Sequence, residues 1–249
     1  MVQGVEVTVA VQNDVLAAAF AAGEALRRWG DLRAPVLIVV HPTHDALEAA
    51  VGHRGLPWLR AWAQYDRIDL QSPTTFGHRD YRAPLRELLA HELTHVLMYQ
   101  RVGTPARWHQ VYVPFWFREG MASWTAEQGY RRGTPASLGR RLAAHPPEID
   151  PLLDGQALTR SDQPLAYGAA HWGFDQLVVE ADEHVVIELL DDLRRAHVPC
   201  LEQGAASTCG DGRAAFGAAF THRVGEDEAS FAARFRARLI SEAARSPGT

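Results

Sequence analysis

Residues 88–98 read Leu88-Leu89-Ala90-His91-Glu92-Leu93-Thr94-His95-Val96-Leu97-Met98, and this stretch decides how the chain is read. Leu88, Leu89, Leu93, Val96 and Leu97 follow the three-and-four spacing of a buried helix face. Asp80 is suited to cap that helix and Gly103 to stop it, which predicts a helix near 81–101. Residues four apart on a helix lie one above the other, so His91 and His95 can aim two ring nitrogens at one metal ion. Glu92 follows the first of them and can reach a water bound to that ion. Two imidazoles with a neighbouring carboxylate make most of a water-activating zinc site.

A catalytic zinc ion usually takes a third protein ligand and keeps one position for water. A histidine-rich continuation would need Gly at 98 and His at 101, but Met98 and Arg101 stand there. The segment Pro114-Phe115-Trp116-Phe117-Arg118-Glu119-Gly120-Met121-Ala122-Ser123-Trp124 offers Glu119 instead, 24 residues after His95. That separation leaves room for a turn and an antiparallel return helix. Gly120 and Ala122 are small enough to let helices approach closely, and Phe115, Trp116, Met121 and Trp124 could wall the site off from water.

Trp116-Phe117-Arg118-Glu119-Gly120-Met121-Ala122, taken with HExxH, resembles the gluzincin metallopeptidases, the thermolysin-like superfamily with a downstream Glu ligand. Among these the chain is most similar to the minimal peptidase MA-like bacterial domains. The likeness spans residues 5–240, although only the two motif helices are specific. It implies an α+β, zincin-like (thermolysin-like) fold with a small N-terminal mixed sheet and a mostly helical C-terminal lobe. It also implies Zn2+ held by His91, His95 and Glu119, with Glu92 as general base and acid. Two departures accompany it. The aminopeptidase branch carries a GxMEN segment before HExxH that Tyr65 to Ser72 lacks, so aminopeptidase activity is not implied. The thermolysin-like members place an Asp where Ser123 stands, so another group must orient the first histidine.

Hydrolysis also needs a donor for the oxygen that gains charge. Element order offers Tyr167, in Ala166-Tyr167-Gly168-Ala169-Ala170-His171, with Gly168 and the alanines leaving space beside its ring. His171, one turn on, is the reserve donor; Tyr99, His109 and Tyr112 have nothing to fix their direction. A core tyrosine with a satisfied hydroxyl is the plainer reading of Tyr167.

The 249 residues suit one domain, here residues 1–249, with a β/α lobe over 1–103 and a helical lobe over 104–249. A hydrophobic content of 47% and a charged content of 22% are ordinary for a folded soluble chain. A net charge of −5 and no basic run beyond a dipeptide argue against a nucleic-acid partner. No apolar run reaches the length of a membrane span, and the first residues do not read as a secretory signal. Cys200 and Cys209 flank a Gly/Ala/Ser stretch; a disulfide there would favour an extracytoplasmic location, and two unpaired thiols fit equally.

Alternation over residues 5–11 predicts a strand, and Asn13 a helix cap. The pattern continues with a strand over 35–40, a helix capped by Thr43, and two strands within 58–70. The resemblance implies an edge strand that pairs with substrate backbone, and Arg67 to Gln71 is the candidate for it; an ordinary covered or charged edge is the plainer reading. Residues 131–162 read as a surface excursion with one short helix near 136–143. Helices follow over 163–181, 183–196, 212–220 and 228–245. Phe216, Phe220, Phe231 and Phe235 read as core. The function these readings support is zinc-dependent cleavage of peptide or protein substrates, most simply within the chain. The alternatives are a zinc-binding module without catalysis and a helical interaction protein whose HExxH is accidental.

Overall fold

A computed structural model describes residues 2–3, 7–77, 79–202 and 211–246, with side chains for 7–77, 79–198 and 211–246. Two compact units divide the chain, residues 1–108 and 109–249. The architecture is mostly helical α+β, with a small mixed sheet confined to the first unit.

The first unit begins with a two-residue strand, β1 (Val2–Gln3), and helix α1 (Val9–Leu26). The strand expected over 5–11 is therefore corrected: residues 9–11 are helical, and residues 5 and 6 lie outside those described. Thr8, not Asn13, is the cap, its hydroxyl accepting from the Val11 N–H. Val11, Val15, Ala18, Ala22 and Leu26 then bury one helical face, while Val9 is exposed, which alternation cannot explain. A helical period satisfied by five buried residues outweighs a period-two pattern spanning only a few.

Strand β2 (Leu37–His41), helix α2 (His44–Val51) and strands β3 (Ala61–Ala63) and β4 (Arg67–Gln71) follow as the sequence predicts, and Thr43 does cap α2. The sheet order is β1-β2-β4-β3, with β4 parallel to β2 and antiparallel to β3. β4 is thus interior, and the expectation of an exposed edge at Arg67 to Gln71 is wrong. Its polar residues suggested an edge, yet Asp69 is fully buried and satisfied within the unit. Arg67 donates to it through two nitrogens at 2.8 and 2.6 Å, and the His41 Nε2 lies 2.7 Å away. Burial pushes the Asp69 carboxyl up, but these bonds outweigh it and hold the pKa below the usual carboxylate value.

Helix α3 (Arg82–Val102) carries the HExxH motif and packs on α1 and the sheet. Gln100, fully buried near its end, locks it to the rest of the unit. The Gln100 Oε1 accepts from the Arg33 and Ala34 N–H groups at 2.7 and 2.9 Å, and the Nε2 donates to the Ala34 and Tyr65 carbonyls.

The second unit contains α4 (Phe115–Thr125), α5 (Pro135–Leu142), α6 (Gly155–Ser161), α7 (Gln163–Ala181), α8 (Glu183–Glu202), α9 (Gly212–Val224) and α10 (Glu228–Arg245). Residues 131–162 are not the surface excursion the Gly and Pro content suggests. They hold two helices, and Leu138, Leu142, Leu152 and Leu158 are buried. Gly139 permits this, since a Cβ there would stand 2.0 Å from the Leu239 carbonyl oxygen of α10. Phe216, Phe220, Phe231 and Phe235 are fully buried, as expected. α8 runs beyond the predicted residue 196, and the proposed Cys200–Cys209 pairing lies outside the described side chains.

Two glycine substitutions test this packing. Gly139→Ala is expected to destabilise the protein by about 1–3 kcal/mol, because backbone must move to admit the methyl group. Gly217→Ala, on α9 with nothing within 4 Å of the added carbon, is expected to stabilise by up to about 1 kcal/mol. Urea denaturation of both variants measures the difference.

Candidate metal centre

α3 is buried along its middle, from Leu89 through Met98. His91, Glu92 and His95 are 9, 8 and 7% exposed, so the polar motif lies in an apolar helix rather than on a solvated face. The Nε2 atoms of His91 and His95 stand 3.2 Å apart. Two nitrogens on one tetrahedral ion, at the usual zinc–nitrogen bond of about 2.0–2.1 Å, stand about 3.3 Å apart. The pair therefore has the spacing of two ligands on a single ion. The rings meet edge to face at 86°, and His95 is backed by Tyr99 in a near-parallel arrangement at 6.1 Å. Trp108 packs on Tyr99 at 4.4 Å. Gly103 makes that stack possible, because a Cβ there would meet the Trp108 backbone at 2.6 Å.

In the second unit Glu119 is on α4 and is 8% exposed. Arg118 Nε donates to its Oε1 at 3.1 Å; a carboxylate can accept that bond and still offer an oxygen to a metal. Gly120 does allow a close approach, but the partner is α7: a Cβ would stand 2.3 Å from the Ala170 carbonyl oxygen. The apolar wall foreseen for the site is largely core. Trp116 is fully buried, stacked on Phe231 and donating through Nε1 to Glu228 at 2.8 Å. Trp124 donates to Asp175 at 3.0 Å.

One ligand atom from each of His91, His95 and Glu119 lies within 4.8 Å of the others, a grouping that could hold a metal ion. Two borderline-soft nitrogens and a carboxylate oxygen suit a divalent transition metal. The donor chemistry and the histidine spacing both fit such an ion.

Tyr167 is half-buried on α7, its ring edge-on to Phe115 at 5.3 Å and covered by the Arg132 guanidinium at 5.3 Å. Space beside Gly168 is not open as expected. An added Cβ would meet Leu138 at 2.6 Å and the Arg132 carbonyl oxygen at 2.7 Å, so neighbouring chain fills it. His171 is buried, with Nδ1 3.1 Å from the Ser123 Oγ. Arg132 Nε donates to the same hydroxyl at 3.0 Å. Ser123 therefore accepts from Arg132 and shares a second hydrogen bond with His171 Nδ1. Burial, with Arg132 adding to it, lowers the His171 pKa to about 4. Ser123 is thus committed within its own unit. Arg132 and Gln128 escaped notice in the sequence, because a turn between helices carries no periodicity to mark them.

His109 is exposed, and Tyr112 lies under Arg213 at 5.4 Å. No protein-family model matches the chain, and no curated protein is significantly similar to it. No helix among the described residues is long and apolar enough to cross a membrane.

Titration with zinc or cobalt, followed by metal analysis, is expected to find one tightly held equivalent per chain. His91→Ala and His95→Ala should lose it, and Glu119→Gln should weaken it about tenfold or more. Full occupancy in the histidine variants would remove the centre. A second expectation concerns pH. His171 binds its proton less readily folded than unfolded, so its contribution to stability is present above about pH 6.5 and is lost as pH falls toward about 4, by at most about 3 kcal/mol. Urea midpoints between those pH values should fall less steeply in His171→Gln than in the wild type.

Proposed function

We propose that the protein is a zinc-dependent peptide hydrolase of the gluzincin type, built on a zincin-like fold. The observation that carries the reading is the buried His91–His95 pair at ligand spacing, with a Glu119 oxygen grouped with it and Glu92 buried in the same helical turn. Structural zinc sites favour closed, cysteine-rich sets, whereas two histidines and a carboxylate leave a position for water.

A bound zinc ion would lower the pKa of water and polarise the scissile carbonyl. Glu92 then takes the proton of the attacking water and passes it to the leaving amine. Glu92 is not needed to hold metal, so its place beside His91 favours catalysis over metal storage. The apolar turns of α3 around these groups exclude water and strengthen each charge interaction. Tyr167 has its ring held by Phe115 and Arg132, and its hydroxyl is assigned to the carbonyl oxygen as charge develops there.

Metal content and turnover of a mixed peptide library, measured together, test the assignment. Glu92→Gln is expected to keep its zinc and lose activity by about 10²–10⁴-fold. Tyr167→Phe should lower kcat more than it raises KM; an unchanged kcat returns Tyr167 to a packing role. Absence of zinc in the wild type defeats the proposal, and stoichiometric zinc without turnover favours a zinc-binding module.

A further inference from the structure

The chemistry proposed above gives Arg132 no direct part, yet its surroundings call for a ligand. Its turn is built against α7 at three points. Gly129 leaves room for His171, where an added Cβ would stand 2.7 Å from Nε2. The Arg132 carbonyl oxygen approaches Gly168 as described, and Trp172 Nε1 donates to the Gly133 carbonyl at 3.0 Å.

The guanidinium is held as firmly as the backbone. Nε donates to Ser123 at 3.0 Å, Nη2 donates to Gln128 Oε1 at 2.7 Å, and the plane lies over Tyr167. Each of these partners is neutral. Among the described residues no carboxylate forms an ion pair with Arg132, and its Nη1 makes no hydrogen bond. Glu119 acts on its charge from a distance while bonding to Arg118. Burial lowers the Arg132 pKa, but an arginine in a protein keeps its proton.

A half-buried cation with no carboxylate in contact with it is costly, and such a group suits a site where an anion binds. The planar fork of arginine matches a carboxylate. Pinning two of its three nitrogens removes the ordering cost of using the third.

We propose that Arg132 is a receptor for a substrate carboxylate, selecting peptides that carry one near the bond to be cut. The carboxylate is either the peptide's own C-terminus or an acidic side chain. The inference rests on the peptide-hydrolase reading and adds the substrate class to it. A terminal carboxylate makes the enzyme a C-terminal exopeptidase; an acidic side chain makes it an endopeptidase with acidic preference.

Calorimetric titration of the zinc-loaded Glu92→Gln protein tests the proposal without depending on turnover. Three probes serve: an N-acetylated alanine–phenylalanine pentapeptide as free acid, the same peptide amidated, and the amide with one internal glutamate. At least one charged peptide is expected to bind about tenfold or more tightly than the neutral amide. Which of the two does so identifies the source of the carboxylate. Adding Arg132→Gln should erase the preference, and Arg132→Lys should keep part of it. Equal binding of all three peptides, binding of none, or a preference that survives Arg132→Gln overturns the proposal. The comparison among peptides stands even where Arg132→Gln fails to fold. Zinc content of the same samples, and wild-type hydrolysis of any of the three peptides, report separately on the peptidase reading. Zinc with turnover but no charge preference removes the receptor and leaves the hydrolase.

Discussion

One helical turn is the constraint from which the rest of the structure takes its meaning. It stacks His91 over His95 with their Nε2 atoms 3.2 Å apart, in a part of α3 that is otherwise apolar. Two polar rings in such surroundings are tolerable only where their nitrogens have work to do. The first unit is organised to hold that turn still. Gln100 fastens the far end of α3 through four hydrogen bonds, and Tyr99 with Trp108 backs the His95 ring. A metal site gains affinity when its ligands are placed before the ion arrives, and these contacts would supply that placement to an ion held by the pair.

The second unit meets a different demand, because it must carry charged and polar groups into a core made of aromatic rings. Trp116, Phe117, Phe216, Phe220 and Phe231 form one edge-and-face cluster that fixes the inner face of α4. Gly120 then brings α4 against the α7 backbone, closer than any side chain would allow. Arg132, Ser123 and His171 form a polar network there, with Gln128 on the second arm of the guanidinium. Every member is neutral except the arginine. That imbalance separates this network from the Asp69 cluster of the first unit, where Arg67 and His41 surround a carboxylate and the charges are matched.

Strong local periodicity was legible. α3, α4 and α7 lie where the sequence predicts them, because long amphipathic or uniformly apolar helices leave a pattern that tertiary contacts reinforce. Weak or conflicting patterns misled. Four valines at alternate positions suggested a strand, whereas Thr8 and a five-residue buried face make the end of that stretch the start of α1. Polar β4 suggested an edge because its charge partners, at His41 and within the strand itself, could not be recognised from composition. Gly and Pro between 131 and 162 suggested a surface loop, whereas Gly139 is there to let α5 touch α10.

The sequence by itself determined the histidine pair, the carboxylate beside it and the helix that presents them, since a 3.6-residue period converts spacing directly into direction. It also marked Glu119 as a candidate third ligand by residue type and neighbours. Only the tertiary structure decided which strand lies inside the sheet, what fills the space beside Gly168, and that Arg132 is held by neutral partners alone. Those outcomes depend on residues 9–48 positions apart, Arg132 with Ser123 and Ser123 with His171 among them. No local period encodes such a meeting; it exists only once the helices have packed.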